Sequence, residues 1–232
     1  MSLADMKRRK KEREEAANRP KANWFQATTE GVKVRFLQEL DEGSPNYNAE
    51  NGLGIVAVER VSPYDFKRRA VDTLESEGKS YPEEWHKEGQ TTGVDKNGEK
   101  YTGGWRQRTN FYITVLAERD GKTQTEILSR NFNNSFVDDL IEIAEEDGTI
   151  TDQTFVIKKR GSGTQTTWTL KPSRDGELEI GDAKAYDLEQ VALRHVPYDQ
   201  QPAYFDMLPS GDVPTKKVSE AAAQPKAQEE EW

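Results

Sequence analysis

An alternation of apolar and polar side chains between Trp105 and Leu116 constrains the fold of this chain more than any other feature of its sequence. If this segment is extended, successive side chains point to opposite faces of a sheet. One face would carry Arg106, Arg108, Asn110 and Tyr112, and the other would carry Thr109, Phe111, Ile113 and Val115. We therefore expect a β-strand with one wet, cationic face and one face in a hydrophobic core.

Two other segments repeat this alternation. Lys33 and Arg35 alternate with apolar neighbours in the first of them. Lys158 and Arg160 do the same in the second. A sheet made from three such strands would merge its basic sides into one positive surface, and cations beside aromatic rings can hold phosphates and stack bases. The alternative is a set of ordinary half-buried strands whose exposed sides happen to be basic.

The 232 residues are enough for one domain of ordinary size with appendages. The hydrophobic fraction of 33% nearly equals the charged fraction of 32%, so part of the chain is expected to lack a core, and we place that part at the two ends. The absence of cysteine excludes disulfides and thiolate metal sites and is typical of a reducing cytoplasm. No apolar run is long enough for a membrane span or a signal peptide, so we expect a cytoplasmic protein.

The net charge of -9 argues against a polyanionic partner unless the basic groups are segregated. Residues 1–25 contain eight basic and four acidic side chains, whereas residues 203–232 contain three basic and six acidic ones. The middle of the chain therefore has a balance of -10, and the tail does not explain the acidity. Because salt screens charges beyond about 10 Å at 0.1 M, a local basic face can still dominate contact with a polyanion.

The first half of the chain contains further element signals. Leu53–Val61 is expected to form a strand, and Ser62 with Pro63 is expected to begin a helix. That helix would carry a four-residue apolar repeat at Phe66, Ala70 and Leu74. Residues 78–104 are polar and rich in glycine, which predicts a loop or a small insertion.

The pattern in the second half of the chain predicts two hairpins separated by a helix. The pair Asp120–Gly121 favours one tight turn, and Gly161–Gly163 favours another. Between them, Ser135 would cap a helix over Phe136–Glu146, which Gly148 would end. This order predicts a mainly β fold with α elements, namely an OB-fold-like barrel of five to six strands with a helix between the later hairpins. A helical or looped insertion and disordered termini would complete it.

The run RQRTNFYITVLAERDGK, from Arg106 to Lys122, resembles the DNA-binding strand of the T-even-type phage single-stranded-DNA-binding (helix-destabilising) protein family. The similarity extends in short blocks to Gly31–Leu37 and Phe155–Leu170. The resemblance implies sequence-independent binding of single-stranded DNA, which protects the strand and melts its secondary structure during phage replication, recombination and repair in the host-cell cytoplasm. It also places phosphate-binding and base-stacking groups at Arg106, Arg108, Phe111 and Tyr112, with further rings at Tyr101 and Trp168. With the basic strand residues, the predicted DNA-binding set comprises Lys33, Arg35, Tyr101, Trp105, Arg106, Arg108, Phe111, Tyr112, Lys158, Lys159, Arg160 and Trp168.

The sequence departs from this family in two respects. Family members typically carry a zinc-binding insertion, but this chain has no cysteine and only His86 there, so we expect no metal and no cofactor. Alternation also directs Phe111 toward the core, although the resemblance gives its ring a DNA role. A β-bulge would reconcile the two. Trp168 shares a face with Leu170, so it could be buried or could stack.

The predicted domains are a basic arm at residues 1–22, a core at 23–202 with an insertion at 62–104, and an acidic tail at 203–232. The arm resembles one through which neighbouring subunits bind cooperatively, although a localisation-like patch or a solvated helix fits the same composition; its basic residues are Lys7, Arg8, Arg9, Lys10 and Lys11. The tail resembles those that recruit polymerases, helicases or primases, recombinases and nucleases, unless it is simply solubilising; its tip is Glu229, Glu230, Glu231 and Trp232.

Two alternative functions remain open from the sequence. A metal-dependent nuclease could use the helical carboxylates Asp138, Asp139, Glu142, Glu145 and Glu146. An amphipathic helix with a solvated acidic side explains them more simply. His86 and His195 lie far apart in the sequence, and no nucleophile motif or Walker loop accompanies them, so we expect no enzymatic activity. The second alternative is an RNA-binding module, because OB-folds also bind RNA, or a purely protein-binding module.

Overall fold

The computed structural model describes residues 7, 10, 21–62, 68–81, 91–94, 100–102 and 105–205. Within them the strands are β1 (Val32–Phe36), β2 (Ile55–Val61), β3 (Arg69–Val71), β4 (Thr91–Val94), β5 (Lys100–Thr102), β6 (Arg106–Arg119), β7 (Lys122–Asn131), β8 (Thr154–Arg160) and β9 (Thr167–Pro172). The helices are α1 (Thr73–Glu77), α2 (Ser135–Asp147), α3 (Leu188–Val191) and α4 (Gln201–Phe205), with 3-10 turns at Gly163–Gln165 and Tyr198–Gln200. The expectation of a mainly β fold is confirmed. None of the helices in these ranges is both long and apolar enough to cross a membrane.

Seven of the described strands form one antiparallel sheet in the order β3-β2-β6-β1-β8-β9, with β7 paired to the other side of β6. The 14 residues of β6 are enough to pair with β2 through its first half and with β1 through its last residues. Strands β4 and β5 form a separate hairpin. The described ladder is not closed, because no pairing joins β7 to β9.

Local signals explain both the turn after β6 and the helix that follows β7. Asp120 and Gly121 have positive φ angles of 51° and 71°, as a two-residue hairpin turn requires, so the predicted hairpin is confirmed. The helix α2 ends at Gly148 as expected, with a left-handed φ of 75°. Its cap differs from the prediction, because the side chain of Asn134 accepts the hydrogen bond from the Phe136 amide and Ser135 is already helical.

The helix predicted to begin near Ser62 and to include Ala70 is wrong. Ala70 lies in β3 and pairs with Arg60 of β2, and the short helix α1 begins only after Asp72 caps it. The free edge of β2 offers backbone hydrogen bonds that a local apolar repeat cannot reveal. The residues 63–67 lie outside the described residues.

Both faces of the sheet carry buried residues. One face holds the main core under α2, which includes Val34, Phe36, Phe111, Ile113, Val115, Leu128, Phe136, Leu140, Phe155 and Ile157. On the opposite face, which we call the outer face, a smaller core contains Ala57, Tyr112, Ile127, Leu188, Ala192 and Leu193. The amide of Leu178 donates to the hydroxyl of Thr154 in β8, and the amide of Tyr186 donates to the hydroxyl of Thr114 in β6. Because residues 178–193 thus pass over both strands, we call them the crossing segment.

Candidate nucleic-acid interface

Strand register places the predicted basic residues on the outer face. Arg35 pairs with Leu116, and the main-core residue Phe36 pairs with Val115, so even-numbered residues of β6 share the face of Arg35. By the same rule the outer face carries Lys33, Arg35, Arg106, Arg108, Tyr112, Lys158 and Arg160. The alternation predicted from the sequence is therefore confirmed in all three strands.

Part of this set forms a groove with a volume of 770 Å³ across β1, β8 and β9. Its cationic lining, which we call the basic groove, comprises Lys33, Lys158, Arg160, Lys171 and Arg174. Among the described residues, Glu30 and Asp175 are the only ones that contribute carboxylates to the lining. Five cations against two anions make this groove locally positive in a chain whose net charge is -9.

Lys171 and Arg174 were not predicted. Lys171 pairs with Val156, which is two residues from Lys158 on the same face of β8, so it joins that face. The sequence could have indicated the position of Lys171, because in an extended strand it points to the face opposite Trp168 and Leu170. Arg174 lies beyond the strand, so alternation gave no signal for it. Gly31 shapes the floor of the groove, because an added Cβ would lie 2.9 Å from two carbons of the Lys158 side chain.

The guanidinium of Arg35 is hydrogen-bonded to the protein backbone, which argues against a role in binding phosphate. It donates hydrogen bonds to the backbone carbonyls of Thr151 at 3.1 Å, Leu178 at 3.0 Å and Asp152 at 3.2 Å. Nε, Nη1 and Nη2 of Arg35 each donate to one of these carbonyls, and these are the nitrogens with which an arginine binds phosphate. The assignment of Arg35 to the DNA-binding set is therefore corrected to an anchor for the crossing segment. Lys33 makes one such bond, to the carbonyl of Asp175 at 2.7 Å.

Tyr112 does not supply the exposed ring that alternation predicted. Its side chain is 0% exposed, and its hydroxyl donates to Oε2 of Glu59 at 2.5 Å. Asn110 donates to the same oxygen at 2.6 Å, and Arg69 lies 3.6 Å from the other carboxylate oxygen. Burial, and then the charge of Glu59, raise the pKa of Tyr112 well above its ordinary value. The expectation of Tyr112 on a wet face is wrong, because the crossing segment covers it.

The other predicted rings are also buried where their side chains are described. Phe111 is 3% exposed in the main core, as its alternation indicated, so a stacking role for it is not supported. Trp105 is 3% exposed and lies 4.6 Å from Phe205 between ring centroids. Trp168, at 9% exposure, packs against α2, and Lys159 pairs with it on the core side of β8. Tyr101 lies in β5, opposite Gly93.

Arg106 and Arg108 are exposed at the start of β6, away from the basic groove. Because Val34 of β1 pairs with Ala117, the groove lies near the other end of β6. At roughly 3.3 Å per residue, the part of β6 from Arg108 to Ala117 is about 30 Å long. The crossing segment lies between the two regions, so the expectation of one merged positive surface is wrong.

A second candidate contact region lies beside Tyr112 on the outer face. We call it the Trp24 patch, and it consists of Trp24 and Arg69. Trp24 is 40% exposed, and the guanidinium carbon of Arg69 lies 5.9 Å from its ring centroid. Trp24 and Arg69 were not predicted, and the contact between them depends on segments 45 residues apart in the sequence.

The remaining predicted residues fall into three groups. Arg8, Arg9, Lys11, His86 and the tail from Glu229 to Trp232 lie outside the described residues, whereas Lys7 and Lys10 are helical and exposed. The five acidic residues proposed for a nuclease are exposed on α2. Across the described ranges, no group of three His, Asp or Glu side chains is arranged to hold a metal ion.

Comparison of the chain with protein-family models, with curated proteins and with solved structures finds no match. Function is therefore inferred from the residues of this chain and from the surfaces they form.

Proposed function

We propose that this protein binds single-stranded DNA without reading its sequence. The observation that carries the proposal is the basic groove, in which four cations from three strands and a fifth from the segment after β9 line one surface of an acidic protein. Phosphate contacts provide most of the affinity in sequence-independent binding, and lysine and arginine are the groups that make them. The resemblance of Arg106–Lys122 to the phage single-strand-binding family supports the same function.

We further propose an OB-fold-like architecture, which fits this function. The order β7-β6-β1-β8-β9, with α2 between β7 and β8, is the strand order of a five-stranded OB barrel opened between its third and fifth strands. OB-folds are partly open barrels whose sheet face and loops bind oligonucleotides. The segment before β1 lies along the edge of β7 that faces this opening, because Trp24 bridges to Ile127 of β7.

The chemistry would need no cofactor and no fuel. Cations of the groove would neutralise successive phosphates and release the counterions condensed on the strand. Because the protein would bind the open strand better than the duplex, it would shift duplex and hairpin equilibria toward the melted state. The basic arm and the acidic tail would add cooperative binding and recruitment of replication or recombination proteins.

Titration of the protein with a labelled oligo(dT) at rising salt tests this function. We expect tight binding at low salt and a linear fall of log affinity with log salt, with a slope of about 0.7 for each phosphate neutralised. A duplex of the same length should bind more weakly. Equal binding of duplex, or no binding at low salt, would contradict the proposal, whereas preference for a matched oligo(U) would favour an RNA-binding module.

A further inference from the structure

We infer that Trp24 is a base-stacking platform for an unpaired nucleotide, with Arg69 beside the ring positioned for a flanking phosphate. This inference rests on the proposed function and adds to it a second contact region with a different chemistry. The basic groove offers charge, whereas the Trp24 patch offers an aromatic ring together with charge. Its ligand class is a nucleobase whose face is not covered by a neighbouring base.

Backbone pairing fixes the position of the Trp24 ring. The amide of Phe25 donates to the carbonyl of Ile127 at 2.9 Å, and the amide of Ile127 donates to the carbonyl of Asn23 at 2.7 Å. The segment is therefore extended along β7, and neighbouring side chains alternate. Phe25 points into the main core at 4% exposure, so Trp24 points to the outer face.

Neighbouring groups hold one side of the ring and leave much of it accessible. Trp24 and Tyr112 make a T-shaped contact, with ring centroids 6.3 Å apart and planes at 69°. Arg69 lies 5.9 Å from the Trp24 centroid and 5.6 Å from the Tyr112 centroid. With these contacts the indole remains 40% exposed. A large ring that is immobilised in this way loses little further entropy when a base stacks on it.

The charge around the ring fits a single strand. Arg69 pairs with Val61, which also pairs with Arg106 of the outer face, so Arg69 shares that face with Trp24, and it is the cation that lies beside the ring. Glu59 offsets part of the charge of Arg69 at 3.6 Å, and it is 0% exposed, so it presents no carboxylate to a ligand. Cations beside a stacking ring are the combination found where proteins bind unpaired strands.

The substitution Trp24→Leu tests the inference against two ligands of equal length and charge, oligo(dT) and an abasic oligodeoxyribose phosphate. We expect Trp24→Leu to weaken oligo(dT) binding by about 5-fold to 100-fold, the range typical of losing one stacked base. Binding of the abasic oligomer should stay within about twofold of wild type, because the abasic oligomer has no base to stack. The matched variant Trp24→Phe keeps an aromatic ring and should retain most of the preference for oligo(dT).

The outcomes separate this inference from the proposed function. If the wild-type protein binds neither ligand, the proposed function fails. If wild type binds both but Trp24→Leu binds oligo(dT) as tightly as wild type, or loses both ligands equally, the stacking role of Trp24 is overturned while strand binding stands. Photo-crosslinking of wild type to iododeoxyuridine oligomers keeps the test independent of folding: a crosslink at Trp24 is expected, and its absence overturns the inference.

Discussion

Arg130 lies over the ring of Trp168, with its guanidinium carbon 4.2 Å from the ring centroid. Arg130 belongs to β7 and Trp168 to β9, so this contact spans the place where the described sheet has no ladder. Burial lowers the pKa of Arg130, and its Nε has no hydrogen-bond partner within the described residues. The stack on Trp168 is therefore the principal interaction of this guanidinium in the part of the chain that the structure describes. It connects β7 to β9, which share no backbone pairing in the described sheet.

Replacing Arg130 tests this role of the stack. We expect Arg130→Ala to lower the free energy of unfolding by about 1–2 kcal/mol, because the variant removes a partly desolvated cation–π interaction and the packing of the side-chain stem. Urea unfolding followed by circular dichroism measures the change. Lys122→Ala, at the exposed start of β7, is the matched control and should change stability by less than about 0.5 kcal/mol. Equal stability of the two variants would show that β7 and β9 do not depend on this stack.

Removing the Tyr112 hydroxyl should destabilise the protein by about 1.5–3 kcal/mol, because Glu59 is buried and loses a hydrogen bond to a charged group. The pKa of Tyr112 is raised in the folded state, so the folded protein holds the phenolic proton more tightly than the unfolded chain does. Its contribution to stability is then fully present below the unfolded pKa of about 10 and declines as the pH rises further. Thermal unfolding between about pH 8 and 11 should show a smaller alkaline loss in Tyr112→Phe than in wild type. Parallel curves for the two proteins would argue against this coupling.

Charge reversal in the basic groove tests its place in strand binding. We expect the double variant Lys158→Glu, Lys171→Glu to weaken oligo(dT) binding and to reduce the log–log salt slope by about 0.7 for each phosphate that the variant no longer neutralises. Lys122→Glu changes the net charge at an exposed site outside the groove, so it controls for long-range electrostatics. A control variant that loses as much affinity and slope per charge as the groove variant would remove these lysines from the interface.

Arg35 and Lys33 lie two residues apart on one strand, yet their substitutions should have different effects. Arg35→Ala leaves three backbone carbonyls without their donor and should lower the free energy of unfolding by about 1.5–3 kcal/mol. The folded fraction should still bind oligo(dT) normally. Lys33→Ala should have the opposite profile, with near-normal stability and weaker binding. Denaturation and titration of both variants provide the comparison, and weaker binding by folded Arg35→Ala would return that residue to the interface.

Local patterns predicted much of the fold because they depend on neighbouring residues. Asp120 and Gly121 specified a turn through their tolerance of positive φ, and Gly148 ended α2 for the same reason. The helix predicted over Ala70 failed because the edge of β2 was available for pairing. That partner lies just before Ser62 in the sequence, but an apolar repeat within the predicted helix carries no information about pairing with it.

The candidate site shows the same division. Alternation determined from the sequence alone that Lys33, Arg106, Tyr112 and Lys158 each lie opposite the apolar side of their own strand, because consecutive side chains of a strand must point in opposite directions. The register between strands then places them on one face. Alternation could not determine what covers that face. The crossing segment buries Tyr112 and separates Arg106 from Lys158, whereas pairing with β7 leaves Trp24 exposed. Both outcomes arise from contacts between residues that are distant in the sequence, and only the tertiary structure decides such contacts.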